Sequence, residues 1–270
     1  MKRVGILYHP RLGKARDLAS KLGELLSAQG VGAWECSAWD EDNAKSQVTG
    51  SDLILSIGGD GTILHVARII TPLPVPILGI NLGRLGFMSD LRADEALPQL
   101  PRLLDGEGWI EERAMLQAQL QERSFHALND VVVRSTAVRL VNTQVKIDGR
   151  LLGTYRADGV IVATATGSTG YSLAAGGPIL DPQSKELILQ PISCHLGLSH
   201  SLVLPAQSTV NLKLVNEDRA ILSIDGQIDL PLPEEQDVEV RLSPYLARFL
   251  KLDQPGYFYT SLWHKLSGKE

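Results

Sequence analysis

An α/β domain with a parallel sheet, followed by a β-rich second domain, is the architecture this sequence predicts. Three observations carry the prediction. Short apolar runs alternate with helical stretches through the first part of the chain. One of them, Leu53–Ile57, runs straight into a glycine turn and a helix. After Asp105-Gly106-Glu107-Gly108 the chain becomes strand after strand with little helix.

In order, Val4-Gly5-Ile6-Leu7-Tyr8 reads as the first strand. Leu18, Leu22, Leu25 and Leu26 then repeat at helical spacing, and Gly30 closes that helix. Residues 31–36 read as a second strand and Leu53–Ile57 as a third, joined by right-handed crossovers. Pro72, Pro74 and Pro76 break the chain before a strand at Ile77–Ile80. In the β-rich part, strands are expected at Val131–Val133, Val141–Ile147, Val160–Val162, Val210–Val215 and Val238–Leu242, with Asp148-Gly149 as a hairpin turn. The tail from Tyr257 to Leu266 is amphipathic through Phe258, Leu262, Trp263 and Leu266, and is expected to return to the first domain. The predicted division is 1–104, 105–252 and 253–270.

Composition narrows the partners. The 270 residues, 44% apolar and 21% charged, suit an ordinary globular protein with a real core. The balance of 26 basic and 31 acidic residues, without a basic run, argues against nucleic acid. No apolar run approaches the ~20 residues of a membrane helix, and no signal peptide is seen, so a cytoplasmic location is expected. Cys36 and Cys194 suit neither zinc nor a disulfide framework, which agrees with a reducing compartment. His195 and His200 lack a third ligand nearby, so no residue is assigned to metal.

The chemistry concentrates at Gly58-Gly59-Asp60-Gly61-Thr62. A strand, a bare glycine turn and a helix N-terminus suit phosphate, with Gly58, Gly59, Gly61 and Thr62 as its binding residues and Thr62 as helix cap. An aspartate there repels phosphate, so Asp60 is expected to serve a proton or a hydroxyl, as the catalytic residue. The loop is neither a Walker A sequence nor G-x-G-x-x-G.

Further stretches stand out. Asn81-Leu82-Gly83-Arg84-Leu85-Gly86-Phe87-Met88 is a second glycine-rich departure from a strand, able to face the first across a crevice or merely to turn the chain. Leu128-Asn129-Asp130 places an amide and an acid at the mouth of a strand, and taken alone reads as a turn. Thr164-Ala165-Thr166-Gly167-Ser168-Thr169-Gly170-Tyr171-Ser172, ending at Gly176-Gly177-Pro178, is a hydroxyl-rich run suited to hydrogen bonding a sugar, base or phosphate. Ser223-Ile224-Asp225-Gly226-Gln227 reads by itself as a hairpin turn.

Together these motifs, with Asp158-Gly159, resemble the NAD kinases in order and spacing over roughly residues 4–260. The first motif alone is shared with lipid kinases of the diacylglycerol and sphingosine type, which remain the alternative along with a catalytically silent nucleotide-binding regulator. The resemblance implies a Rossmann-like α/β domain followed by a β-sandwich. It also implies transfer of phosphate from ATP, or polyphosphate in some members, to the 2′-hydroxyl of NAD's adenosine ribose, with a divalent cation, normally Mg²⁺. Homodimers or homotetramers sharing NAD sites are implied, with no nucleic acid or membrane partner. By the same resemblance Gly61 and His65 line the NAD site beside Asp60, and Asn129 and Asp130 hold the nucleoside. Arg156, Asp158 and Thr166 approach from the β domain with Thr169, Gly170, Tyr171, Ser172, Leu173, Ala174 and Gln227. Asp130 stands where the family often has Glu, Gly170 and Ala174 where it has Ala and Ser, and Ala165 where it has Pro.

Overall fold

The computed structural model describes residues 1–83, 86–137, 139–215, 220–234, 236–252 and 258–267. Arg84 and Leu85 of the second glycine-rich stretch, and Tyr257 at the start of the tail, lie outside the described residues. The chain folds as two compact units, Met1–Glu112 with Ala247–Glu270, and Arg113–Leu246.

The first unit opens with β1 (Arg3–Tyr8), α1 (Gly13–Ala28), β2 (Gly32–Ser37), α2 (Glu41–Val48), β3 (Leu53–Ile57) and α3 (Asp60–Ile70). It continues with β4 (Ile77–Asn81), β5 (Leu91–Arg92) and α4 (Ala93–Leu104). β1 pairs in parallel with both β2 and β3, and β3 with β4, giving the order β2-β1-β3-β4. The order reverses between β1 and β3, and beyond the carboxyl ends at such a switch point these sheets bind ligands. Both β3 and β4 are buried along their whole length, as strands covered on both faces must be. Leu18, Leu22 and Leu26 of α1, with Leu100 and Leu103 of α4, pack on Val4, Ile6, Leu53 and Leu55. Gly30, at φ 75°, ends α1 as its position predicts. Gly5 is fixed by packing, since a Cβ there would lie 2.3 Å from the Trp34 ring.

The second unit takes up β6 (Trp109–Leu120) from Arg113 onward, then β7 (Arg123–Ala127), β8 (Asp130–Ser135), β9 (Val141–Ile147), β10 (Arg150–Ala157) and β11 (Gly159–Ala163). A single 3₁₀ turn at Thr166–Thr169 and the short α5 (Tyr171–Ala174) follow. The unit is completed by β12 (Leu187–Ile192), β13 (Leu202–Leu204), β14 (Val210–Leu214), β15 (Ala220–Ile224), β16 (Ile228–Leu232) and the first part of β17 (Asp237–Lys251). Antiparallel β13-β12-β11-β8-β15-β16 form one sheet, and β10-β9-β14-β17 a second, with β6 pairing β17 and β7. Val131, Val133, Val160, Val162 and Leu222 from the first sheet meet Val145, Leu212 and Val240 from the second in one core, which makes the unit a sandwich. Asp148 and Gly149 both take positive φ, at 51° and 76°, the turn a two-residue hairpin requires.

β17 runs well past the expected Val238–Leu242, because Ala247–Lys251 continue as strand in the first unit, where Phe249 pairs Ile77 in parallel. The chain then supplies α6 (Phe258–Ser267), also in the first unit.

Candidate active site

In the first unit the site begins at the carboxyl end of β3. Gly59 is the N-cap of α3 and Asp60 its first residue, so the acid sits in the first turn, where the helix dipole favours negative charge. Thr62 is not the cap that its hydroxyl suggests. It lies inside the first turn, 1% exposed, and its Oγ1 has no hydrogen-bond partner. Gly58 is glycine because a Cβ would come within 2.2 Å of that Oγ1.

The backbone donors of Gly58 and Thr62 are already committed. The Gly58 N–H donates to the Ile80 carbonyl at 2.9 Å, and the Thr62 N–H to the Gly59 carbonyl at 2.9 Å. Gly59 and Gly61 differ from Gly58 in having nothing within 4 Å of an added Cβ. Gly59, at φ −93° and ψ −175°, holds an ordinary extended conformation. Neither packing nor backbone demands a bare residue there, which leaves close approach by a ligand as its physical reason.

The second glycine-rich stretch does not face Asp60 across a crevice; it holds the carboxylate directly. The Phe87 N–H donates to Asp60 Oδ2 at 2.9 Å, and the Ser89 hydroxyl to Oδ1 at 3.2 Å. Ser89 Oγ accepts from Asn81 Nδ2 at 3.2 Å and from the Gly86 N–H at 3.3 Å. A hydroxyl has two acceptor sites and one donor, so filling both acceptors aims its proton at Asp60. Each oxygen of Asp60 keeps acceptor capacity for something else. A Cβ on Gly86 would lie 2.0 Å from Asp60 Oδ1, so only glycine lets this loop close on the acid. Ser89 is a site residue without a motif of its own; its one signal in the sequence is position, three residues beyond Gly86.

His65 lies one turn along α3. Its ring stands 4.0 Å from that of Trp39, which stands 4.5 Å from that of His9. Arg68 Nη2 is 3.0 Å from His65 Nδ1 and also pairs with Glu41. Burial first, then the Arg68 charge, pulls the imidazole down to a pKa of about 4, so at neutral pH it is uncharged.

In the second unit, three motifs meet at one end of a sheet. β8 begins at Asp130, while the antiparallel β11 and β15 beside it end at Ala163 and Ile224. The hairpin at Asp225-Gly226 does more than turn the chain. The Asp225 carboxylate accepts the N–H groups of Leu128, Asn129 and Asp130 at 2.8, 2.7 and 3.0 Å, fixing that segment. Burial first, then the Asp225 charge, pushes the Asp130 carboxyl up to about 7, so near neutrality it can donate as well as accept. A Cβ on Gly167 would lie 2.1 Å from the Asn129 carbonyl oxygen, which presses the hydroxyl-rich run onto Asn129.

That run divides in two. Thr164 and Ser168 are structural. Thr164 Oγ1 donates to the Leu128 carbonyl at 2.6 Å and accepts the Gly167 N–H, while Ser168 Oγ donates to the Ala165 carbonyl and accepts the Leu180 N–H. Thr166 Oγ1, Ser172 Oγ and Asn129 Oδ1 are buried without partners, at the cost such groups carry until a ligand meets them. Thr169 and Gly170 are half-buried, Leu173 likewise, and Tyr171 and Ala174 are exposed; Gln227 is half-buried in the hairpin. Arg156 and Asp158 are not brought to this end. Asp158 precedes β11 and bonds through its backbone to Ser135 and Ile192, one whole five-residue strand (about 16 Å) from Ala163. Both side chains are exposed. Among the described residues, no group of three or more His, Cys, Asp or Glu is placed to hold a metal ion.

The model of the ATP-NAD kinase N-terminal domain matches residues 4–108, and that of the ATP-NAD kinase C-terminal domain residues 128–252. An NAD kinase of Dehalococcoides mccartyi (strain CBDB1) is 45% identical over 274 residues, covering 99% of this chain and 96% of its own. One from Chloroflexus aurantiacus (strain J-10-fl) is 41% identical, covering 98% and 99%. Among solved structures, an NAD kinase from Archaeoglobus fulgidus in complex with ATP matches at TM-score 0.79 and 25% identity, over 99% of this chain and 100% of that one. Yeast NADH kinase complexed with NADH shares the fold at TM-score 0.82 and 24% identity, over 100% of this chain and 88% of that one.

Three outcomes are expected from this geometry. Gly86→Ala should turn the Asp60 carboxylate out of its loop in a crystal structure and cost about 1–3 kcal/mol in denaturation; an unmoved carboxylate would show that the loop yields instead. Asp225→Asn, with one acceptor oxygen for three N–H groups, should cost about 2 kcal/mol, read by the same denaturation. The NMR titration of His65 should have its midpoint near 4, and Arg68→Met should move it upward. Between the ordinary histidine value and that midpoint the unfolded chain takes up a proton that folded His65 refuses. Stability from this group is therefore lost as pH falls through that window.

Proposed function

The chain belongs to the ATP-NAD kinase family, and from that premise we propose that Asp60 is the proton acceptor of its reaction. The enzyme transfers the terminal phosphoryl group of ATP to the 2′-hydroxyl of the adenosine ribose of NAD, yielding NADP and ADP. One observation supports the role most strongly: Asp60 is a carboxylate gripped by Phe87 and Ser89 yet open enough to accept a further proton, at a helix mouth flanked by bare glycines. The 2′-hydroxyl proton passes to Asp60, the oxygen bonds to the γ-phosphorus, and the bond from that phosphorus to the ADP oxygen breaks. Positioning and charge compensation carry such a transfer, because the protein forms no covalent intermediate.

The remaining roles follow from the residues' surroundings and from the family. Gly59 and Gly61 let backbone N–H groups reach the phosphates. Asn129, Asp130, Thr166 and Ser172 hold the nucleoside, and the unpartnered atoms of Asn129, Thr166 and Ser172 are what a ribose or base would satisfy. Gly170, Tyr171, Leu173, Ala174, Thr169 and Gln227 complete that wall, and uncharged His65 lies beside the first unit's loop. No resident metal site fits the described residues. A Mg²⁺ ion carried in on the nucleotide phosphates does fit, because the phosphates themselves would hold it. Such an ion would supply charge neutralisation beside Asp60.

Arg156 and Asp158 serve NAD from a second copy of the chain in this reading, which accounts for their place at the far end of β11. Exposed Leu151, Leu152, Leu196 and Leu198 in the same unit support a homodimer or homotetramer. A cytoplasmic location agrees with the two free cysteines, and no helix among the described residues is long and apolar enough to cross a membrane. Likeness along nearly the whole chain, rather than the shared glycine loop, favours this function over a lipid kinase.

Asp60→Asn should lower NADP formation by at least ~100-fold while calorimetry still detects NAD binding. Turnover near that of the wild type would remove the proton-acceptor role.

A further inference from the structure

We propose that Lys265, on α6, is a positioning residue for Asp60, acting through the Gly86–Phe87 peptide; the proposal rests on the reading of Asp60 as proton acceptor. The Lys265 ammonium donates to the Gly86 carbonyl oxygen and lies 5.1 Å from the centroid of the Phe87 ring. That carbonyl and the Phe87 N–H belong to one planar peptide unit. A cation at its oxygen end and the Asp60 carboxylate at its N–H end, 2.9 Å away, therefore orient the same plane from both sides. A charged donor on the carbonyl also polarises the peptide and strengthens its N–H as a donor.

The surroundings make this more than a chance surface contact. Gly86 has no Cβ to stiffen it, and its neighbour Asp60 leaves no room for one, so the peptide depends on outside bonds for its orientation. The far end of the same loop is tied to the chain's end as well. Asp90 accepts the Leu252 N–H at 2.9 Å, and its carboxylate, with the side chain 4% exposed, stands 3.5 Å from Lys251 Nζ. The C-terminal residues thus hold the loop that grips the acid at two points, Gly86 and Asp90. Lys265 touches the peptide, not the reacting atoms.

The test uses the full-length protein with ATP, Mg²⁺ and NAD, and three variants. Lys265→Met keeps the aliphatic stem against Phe87 and removes the charge. It should lower kcat about tenfold, equivalent to about 1.4 kcal/mol at the barrier, with both KM values and the melting temperature near wild type. Lys265→Arg, which still donates from a cation, should restore most of kcat. Unchanged kcat in Lys265→Met overturns the proposal. So does a loss that appears in KM alone, tracks a fall in melting temperature, or is as deep in Lys265→Arg. Asp60→Asn is measured beside them: if it retains turnover, the reading of Asp60 fails. If it is inactive while Lys265→Met is not impaired, only the positioning role fails.

Discussion

The Gly86–Phe87 peptide pressed against the Asp60 carboxylate is the contact on which the first unit's site depends. The room available to a side chain at residue 86 is less than nothing, with a Cβ 2.0 Å from the acid. A carboxylate at the start of a helix, beside a bare glycine loop, would ordinarily swing toward water. Here the Phe87 N–H and the Ser89 hydroxyl hold one oxygen each. The hydroxyl in turn has no freedom, because Asn81 and the Gly86 N–H occupy its acceptor sites. An acid so restrained suits the proton-acceptor role proposed for it, with little reorganisation left for the moment of reaction.

The second unit solves a similar problem with the roles exchanged. There the carboxylate of Asp225 is the anchor and a run of three backbone N–H groups is what it holds. That anchor fixes Asn129 and Asp130 at the mouth of β8, and Thr164 and Gly167 press in from β11. The same nearby charge, added to burial, keeps Asp130 from ionising readily. In both units the candidate site segment is shaped by hydrogen bonds between carboxylates and main chain, formed between loops distant in sequence. Such bonds are stronger than neutral ones and set direction as well as position.

Much of this was legible in the chain. Leu53–Ile57 matches β3 in its bounds, since five largely apolar residues before glycine leave little choice, and Asp148-Gly149 is the hairpin that it spells. Less was legible where tertiary contacts decide. Helix α2, with only Ala44 and Val48 buried, has too weak an apolar stripe to be seen. Thr62 looked like a cap because caps are a local rule, but the helix starts two residues earlier at Asp60. The hydroxyl-rich run gave no sign of which members serve the fold, since Thr164 and Thr166 differ only in what lies above them. Ser89 and Asp225 owe their roles to partners 29 and 95–97 residues away, which no spacing pattern displays.

The account turns on where the acceptor sugar sits relative to one acid. A crystal structure of the assembled protein with NAD bound tests that most directly. The adenosine 2′-oxygen is expected within about 2.6–3.2 Å of an Asp60 carboxylate oxygen, the reach of a direct proton transfer. A 2′-oxygen outside hydrogen-bonding distance of Asp60 at every site of the assembly, with no water bridging the two, would contradict it.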